Sequence, residues 1–283
     1  LLSQPEKPLW PGPAAVVVEN SPQSRPQAGL AQADLVVEML AESEITRFLA
    51  LYWSTPAEQI GPVRSARTGT VAIAAAYGAP YAHSGGNNDA LLQLRAWGGR
   101  NIDEIFGSGQ YFTRSSAREA PHNLYSSTAQ LNTAIAERKL EMKAPLVTAR
   151  AKDAAMPATG GLQTAEIRWH RLHETAWQWD GKAYRRTDDG QAHTLEGGQP
   201  VTAANLVFLE VKGENNGPDL GWTLFTDQGG KATVLSAGTK WEGTWTLGPG
   251  GFALKPTAGK VPLPAPGLTW VHMITQESSF AVK

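Results

Sequence analysis

Hydrophobic and polar positions follow one rhythm in the first half of the chain and another in the second. Ala14–Glu19 (AAVVVE) is a short apolar run closed by Asn20, Ser21 and Pro22, which predicts a buried strand. Asp34–Ala41 and Ile45–Trp53 are two β-rich runs flanking a tight Glu42-Ser43-Glu44 connection, a hairpin pattern. Ala-rich Thr68–Tyr77 predicts a helix closed by Gly78, and Pro80–His83 a short strand before Ser84-Gly85-Gly86. Asn88–Trp97 predicts a second helix stopped by Gly98-Gly99, residues 107–120 a loop, and Ser127–Lys139 an amphipathic helix. This alternation predicts a mixed α/β sheet layered with helices.

The rhythm changes after a small, polar, Pro-containing stretch at 144–160. Short strand-like runs recur with turn signals between them: 176–179, 183–186, 205–212, 221–225, 231–236, 240–247 and 268–274. They predict an antiparallel sheet or sandwich. The expected fold is therefore α+β, with a mixed α/β domain over 14–145 followed by a mainly antiparallel, β-rich domain over 160–283. Residues 1–13 (LLSQPEKPLWPGP) read as a Pro-rich tether to a removed segment.

Composition narrows the function. The chain has 283 residues, 25 basic against 26 acidic, and this near-balance excludes a general nucleic-acid binder. No apolar run is long enough for a membrane-spanning helix. The absence of cysteine excludes disulfides, a thiol nucleophile and Cys-ligated zinc or iron–sulfur centres. Seven of the ten tryptophans lie in the second half, where packing in a β core outweighs sugar stacking as their expected role.

Candidate chemistry gathers in the first half. Asn20 follows the first strand, and Glu42, Glu44 and Arg47 lie at the hairpin turn. Arg64, Ser65 and Arg67 precede the Ala-rich helix, His83 ends a strand, and residues 120–125 (APHNLY) add His122 and Asn123. Ligands of open α/β sheets bind outside the carboxyl ends of strands, so five segments supplying such groups there suggest a site. Arg64 and Arg67 at a helix start suit phosphate or carboxylate, with Arg114 and Arg118 on the 107–120 loop able to close over it. Against this stands simple ion pairing with Asp34, Glu38 or Glu42. His83 and His122 suit proton transfer, or else backbone hydrogen bonding at strand ends. Histidine spacing gives no metal site, and His170 and His173, flanked by arginines, read as surface residues. No serine-nucleophile elbow, P-loop or dinucleotide fingerprint occurs, and the sequence leaves the cofactor unknown. Glu42 and Glu44 are the one carboxylate pair to weigh for glycoside hydrolysis, without a defined separation.

Several ordered motifs carry a resemblance: residues 19–30 (ENSPQSRPQAGL), 33–36 (ADLV), 45–48 (ITRF), 61–67 (GPVRSAR) and 120–125 in the first half. In the second half they are 179–181 with 184–186, 243–245 and 267–271. Together they resemble the YerB-like bacterial lipoprotein family, a two-domain family of unknown function. The resemblance implies export and an N-terminal lipid anchor upstream of Leu1. It carries over no catalytic residue. The family has glycines where this chain has Ser43 and Glu44, which leaves Glu42 as the carboxylate of that turn. The resulting expectation is an envelope protein binding an anionic or glycan ligand. Arg47, Arg64, Arg67 and Arg114 would hold it, with Asn20, Ser65 and Asn123 beside them, and Glu42 would orient His83 or His122 if a hydrolase or transferase reaction follows. The alternative is a non-catalytic scaffolding or glycan-binding module.

Overall fold

The structure is a computed structural model describing residues 14–42, 45–98, 100–140, 163–170, 173–257 and 265–283. The tether over 1–13, the boundary near 144–160, and Ser43 and Glu44 lie outside the described residues. The first half contains, in chain order, β1 (Ala14–Glu19), β2 (Leu35–Leu40), β3 (Thr46–Tyr52), α1 (Thr68–Tyr77), β4 (Tyr81–His83), α2 (Asn88–Ala96), β5 (Asn101–Asp103), β6 (Thr113–Arg114), β7 (Leu124–Tyr125) and α3 (Thr128–Glu137). The second half begins with β8 (Thr164–Arg168), β9 (Glu174–Trp179), β10 (Tyr184–Asp188), β11 (Gln191–Ala192) and β12 (Thr202–Ala203). It continues with β13 (Asn205–Glu210), β14 (Gly213–Asn215), β15 (Trp222–Leu224), β16 (Gly230–Ser236), β17 (Thr239–Gly248), β18 (Gly251–Pro256), β19 (Thr269–Ile274) and β20 (Ser279–Val282).

Local chemistry explains the helix ends. Gly78 closes α1 in the left-handed region at φ 64°. The Asn87 side chain caps α2 by accepting from Ala90 N (2.9 Å), and Ser127 caps α3 by accepting from Gln130 N (3.1 Å). The expected loop at 107–120 is more structured than its glycines suggest, because Asp103 Oδ1 accepts from Ile105 N and seeds short helical turns through Tyr111.

One ten-stranded sheet runs through both halves in the order β18-β17-β16-β13-β19-β2-β3-β1-β4-β5. The second half is mostly antiparallel, but β19 runs parallel to β13 on one side and to β2 on the other. That strand joins the two halves into a single sheet. The second sheet, β11-β10-β9-β8-β20, packs on one face of the large one. Trp177 of β9 meets Trp270 and His272 of β19, and Phe280 of β20 stacks on Phe208 of β13 at 5.0 Å. Helix α1 covers the opposite face, where Gly69 sits so close to Met39 that a Cβ would come within 2.9 Å of its sulfur. Trp169, Trp177, Trp222, Trp245 and Trp270 are fully buried, the core role expected of them.

Candidate functional site

Strand direction assembles the site. β1, β2, β4 and β5 all point the same way, and β3 starts where they end. Glu19, Glu42, His83 and Asp103 are thereby brought to one end of the sheet with Arg47. The segment 61–67 crosses that end and is tied down by backbone bonds: Arg64 N donates to Val17 O (3.0 Å), Ser84 N to Arg64 O (3.1 Å) and Ala66 N to Gly85 O (2.8 Å). Arg67 is the N-cap residue of α1.

Glu19 and Arg47 are direct cross-strand partners, so their side chains leave the sheet on the same face, the one covered by α1. Glu42 bridges two arginines. Arg67 donates to its Oε2 from Nε (3.1 Å) and Nη2 (2.7 Å), and Arg47 Nη2 donates to its Oε1. Burial pushes the Glu42 carboxyl up, but the two guanidinium groups outweigh it and hold the carboxyl below its ordinary range. Burial likewise lowers the Arg67 guanidinium, with Glu42 opposing. Arg47 is only 1% exposed, yet its Nε and Nη1 meet no acceptor. Beside Arg67, the hydroxyl of Thr68 at the first position of α1 is also buried without a partner.

A second carboxylate completes the group. Glu19 accepts from Ser21 Oγ (3.1 Å), faces Arg64 Nε (3.1 Å) and lies 2.9 Å from His122 Nδ1. This contact fixes the His122 ring through Nδ1, and Nε2 is left without a hydrogen bond among the described residues on a quarter-exposed side chain. Arg47, Arg64 and Arg67 thus share two carboxylates, Glu19 and Glu42, while Asp103 at the same end is turned to the backbone N–H groups of Gly85 and Ile105.

Other expected site residues are used differently. Glu42 contacts neither histidine; Glu19, read from sequence only as the tail of an apolar run, is the carboxylate that holds His122. His83 is fully buried, with Nδ1 2.8 Å from Gly85 O and Nε2 3.9 Å from Asp103. Burial lowers its pKa, and no solvent reaches it as a proton-transfer group would need. Arg114 is held by Glu104 and Asn123, both at 3.0 Å, and Asn123 braces the backbone of Ser115 and Arg118. Arg118 donates to the carbonyls of Ser24 and Pro26, so both loop arginines are already engaged by protein partners. Ser65 is half-buried in the 61–67 segment, between Arg64 and Ala66. His170 faces Glu277 at 3.2 Å, whereas His173 is buried against Asp188 and Asp189, not on the surface.

Sequence reasoning missed a buried ring on the other face. Arg186 of β10 donates to both Glu38 oxygens (2.6 and 2.9 Å) and to Asp188 (2.9 Å), while stacking near Phe48, Trp177 and Trp270. His193 lies 2.7 Å from Asp188 and 2.7 Å from Gln27 Oε1, Gln27 donates to Asn20 Oδ1 (3.1 Å), Asn20 donates to Thr46 (2.7 Å), and Thr46 donates back to Glu38 (2.9 Å). Asn20 is therefore a buried, hydrogen-bonded link in this ring. A charged residue in a strand pattern, such as Glu38 in LVVEML, was the available signal.

The comparisons agree with these two halves. Residues 2–141 match the N-terminal domain, and residues 164–271 the C-terminal domain, of a family described as "Protein of unknown function (DUF3048)". The chain belongs to the DUF3048 family. One DUF3048-like relative is "Putative lipoprotein YerB" of Bacillus subtilis (strain 168), 31% identical over 93% of this chain and 81% of its own length. The crystal structure of the YerB protein from Bacillus subtilis superimposes with a TM-score of 0.84 at 28% identity, covering 95% of this chain and 93% of that one. No helix among the described residues is long and apolar enough to cross a membrane.

Proposed function

We propose that this DUF3048 protein works on the envelope side of the cell, held by an N-terminal lipid, and binds a small anionic group at the strand ends of its first half. Arg47 carries the reading. A guanidinium removed from water with two nitrogens lacking acceptors is costly, and an oxyanion supplies the missing acceptors with a charge of the right sign. Arg67 and the start of α1 flank the same place, and Arg64 widens the positive surface. Glu42, the more exposed partner, is the group an incoming anion displaces from Arg47. Phosphate and carboxylate, common to lipid-linked sugars and cell-wall peptides, both fit this donor set. Calorimetric titration with inorganic phosphate, acetate and uncharged N-acetylglucosamine tests it. Phosphate should bind the wild type and fail to bind Arg64→Ala/Arg67→Ala, while the neutral sugar binds neither. Equal phosphate binding by both proteins overturns the assignment.

A catalytic reading has one observation of its own, the Glu19–His122 pair. A carboxylate behind Nδ1 and an open Nε2 is an arrangement for moving a proton. If the bound group reacts, His122 is the acid/base and Glu19 its positioning residue. Hydrolysis of a phosphomonoester probe lost in His122→Gln, with phosphate binding retained, is the expected result. A probe left intact by the wild type removes the catalytic reading and leaves the binding one.

A further inference from the structure

The second sheet ends before the large sheet does. β20 lies over β13, where Phe280 stacks on Phe208, yet β16, β17 and β18 continue beyond it. The near face of that overhang is solvated: Glu242, Thr244 and Thr246 on β17, and Ala253 and Lys255 on β18, are exposed. Between the edge of β20 and this ledge lies a groove of about 520 Å³, lined by Lys212, Gly230, Lys231, Thr275, Gln276 and Phe280 among others.

The edge is ready to pair. Thr164 and Lys283 exchange both backbone hydrogen bonds, so the register makes 166–281 and 168–279 the next bonded pairs. The N–H and C=O groups of Phe280 and Val282 consequently point away from β8, and no strand among the described residues receives them. The β20 sequence, Ser-Phe-Ala-Val, has no proline or charge of the kind that usually blunts an edge. Another folded sheet cannot approach, because the β16–β18 overhang stands where its second layer would be. A single extended segment has no such obstacle. The charge of the floor selects among segments: Glu242 is already neutralised by Lys240 at 2.7 Å, and Lys212, Lys231 and Lys255 then outnumber Glu210.

We infer that the free edge of β20 takes an extended acidic segment of another protein as an added strand lying over the β16–β17 ledge. This surface is on the opposite face of the molecule from the arginine site and does not depend on it. The test uses an acetylated hexapeptide alternating valine and glutamate, with its valine–lysine counterpart as control. Calorimetry and amide hydrogen exchange on the full chain give the two readouts. The acidic peptide should bind and slow exchange at the Phe280 and Val282 amides at least about tenfold, the lysine peptide should not, and Lys212→Glu/Lys231→Glu should weaken binding by about tenfold or more. Val282→Pro removes an outward N–H that the β8 ladder does not use, so this variant should fold normally and lose the peptide. Absence of acidic-peptide binding at millimolar concentration, equal binding of both peptides, or binding without protection at Phe280 and Val282 would each overturn the proposal.

Discussion

Two clusters of buried charge sit back to back across β2, β3 and β1, and they are built to different standards. On the face toward the second sheet, Arg186 is shared by Glu38 and Asp188, with Arg25 3.6 Å from Asp188, so two cations meet two anions and every Arg186 nitrogen has an acceptor. On the helix face, three arginines meet two carboxylates, and Arg47 keeps two nitrogens, Nε and Nη1, without acceptors. A satisfied buried network specifies how layers dock; one left short of acceptors stores a preference for something that supplies them. The two clusters use adjacent residues of the chain: Thr46 and Arg47 on β3, and Glu19 at the end of β1 with Asn20 just past it. The side-chain alternation of a strand is enough to separate a structural role from the binding one proposed for the helix face.

The largest effect should come from breaking the satisfied cluster. Arg186→Met leaves Glu38 and Asp188 buried without their shared cation and should cost about 3–5 kcal/mol, read from urea unfolding. A loss under about 1 kcal/mol would mean that the ring does not hold the sheets together.

Next comes the carboxylate that divides its attention between two arginines. Glu42→Gln should lower stability in the absence of anions by about 1–3 kcal/mol and tighten phosphate binding, since it removes the competitor for Arg47 and Arg67. Weaker phosphate binding in this variant would show that Glu42 organises the site instead of competing for it.

A pH titration probes the satisfied face again. His272 accepts a hydrogen bond from Trp177 Nε1 at 3.0 Å, and burial, opposed by nearby Glu38, pushes its pKa down to about 3. The unfolded chain protonates this imidazole near pH 6.5, so between those values it binds more protons than the folded one, and stability falls as pH falls. The expected loss is roughly 2 kcal/mol between pH 6.5 and 5. Burial lowers His193 with the same sign. Glu38 and Asp188, held below the usual carboxylate range, keep their contribution until pH drops below about 4. His272→Gln should flatten the upper part of this slope; an unchanged slope would assign it elsewhere. At the small end, Arg168→Ala breaks an exposed pair with Glu174 and should change stability by no more than about 0.5 kcal/mol.

Much of the fold was legible because its signals are local. The apolar run 14–19, the hairpin around Glu42, the Gly78 stop and the Asn87 and Ser127 caps each declare an element within a few residues. The parallel seam of β19 with β2 was not legible, since it pairs Thr269 with Leu35 and no local pattern encodes that distance. The candidate site was half visible. Arg47, Arg64, Arg67 and His122 do meet at the strand ends, but Glu19 hid inside a strand pattern, and His83, at a similar strand end, turned inward toward Asp103. Arg186 stood in plain view as one of three charged residues on β10, and only its 148-residue reach to Glu38 gives it meaning.

The central claim is that the Arg47 cluster is incomplete without an anion while the Arg186 ring is complete without one. Urea unfolding of the wild type and Arg47→Met, each with and without saturating phosphate, tests it most directly. The wild type should gain about 2.7 kcal/mol at phosphate concentrations 100 times the dissociation constant. Arg47→Met should match or exceed the wild type without phosphate, because Glu42 keeps Arg67, and should gain almost nothing when phosphate is added. A variant that loses as much stability as Arg186→Met, in a protein indifferent to phosphate, would contradict the claim.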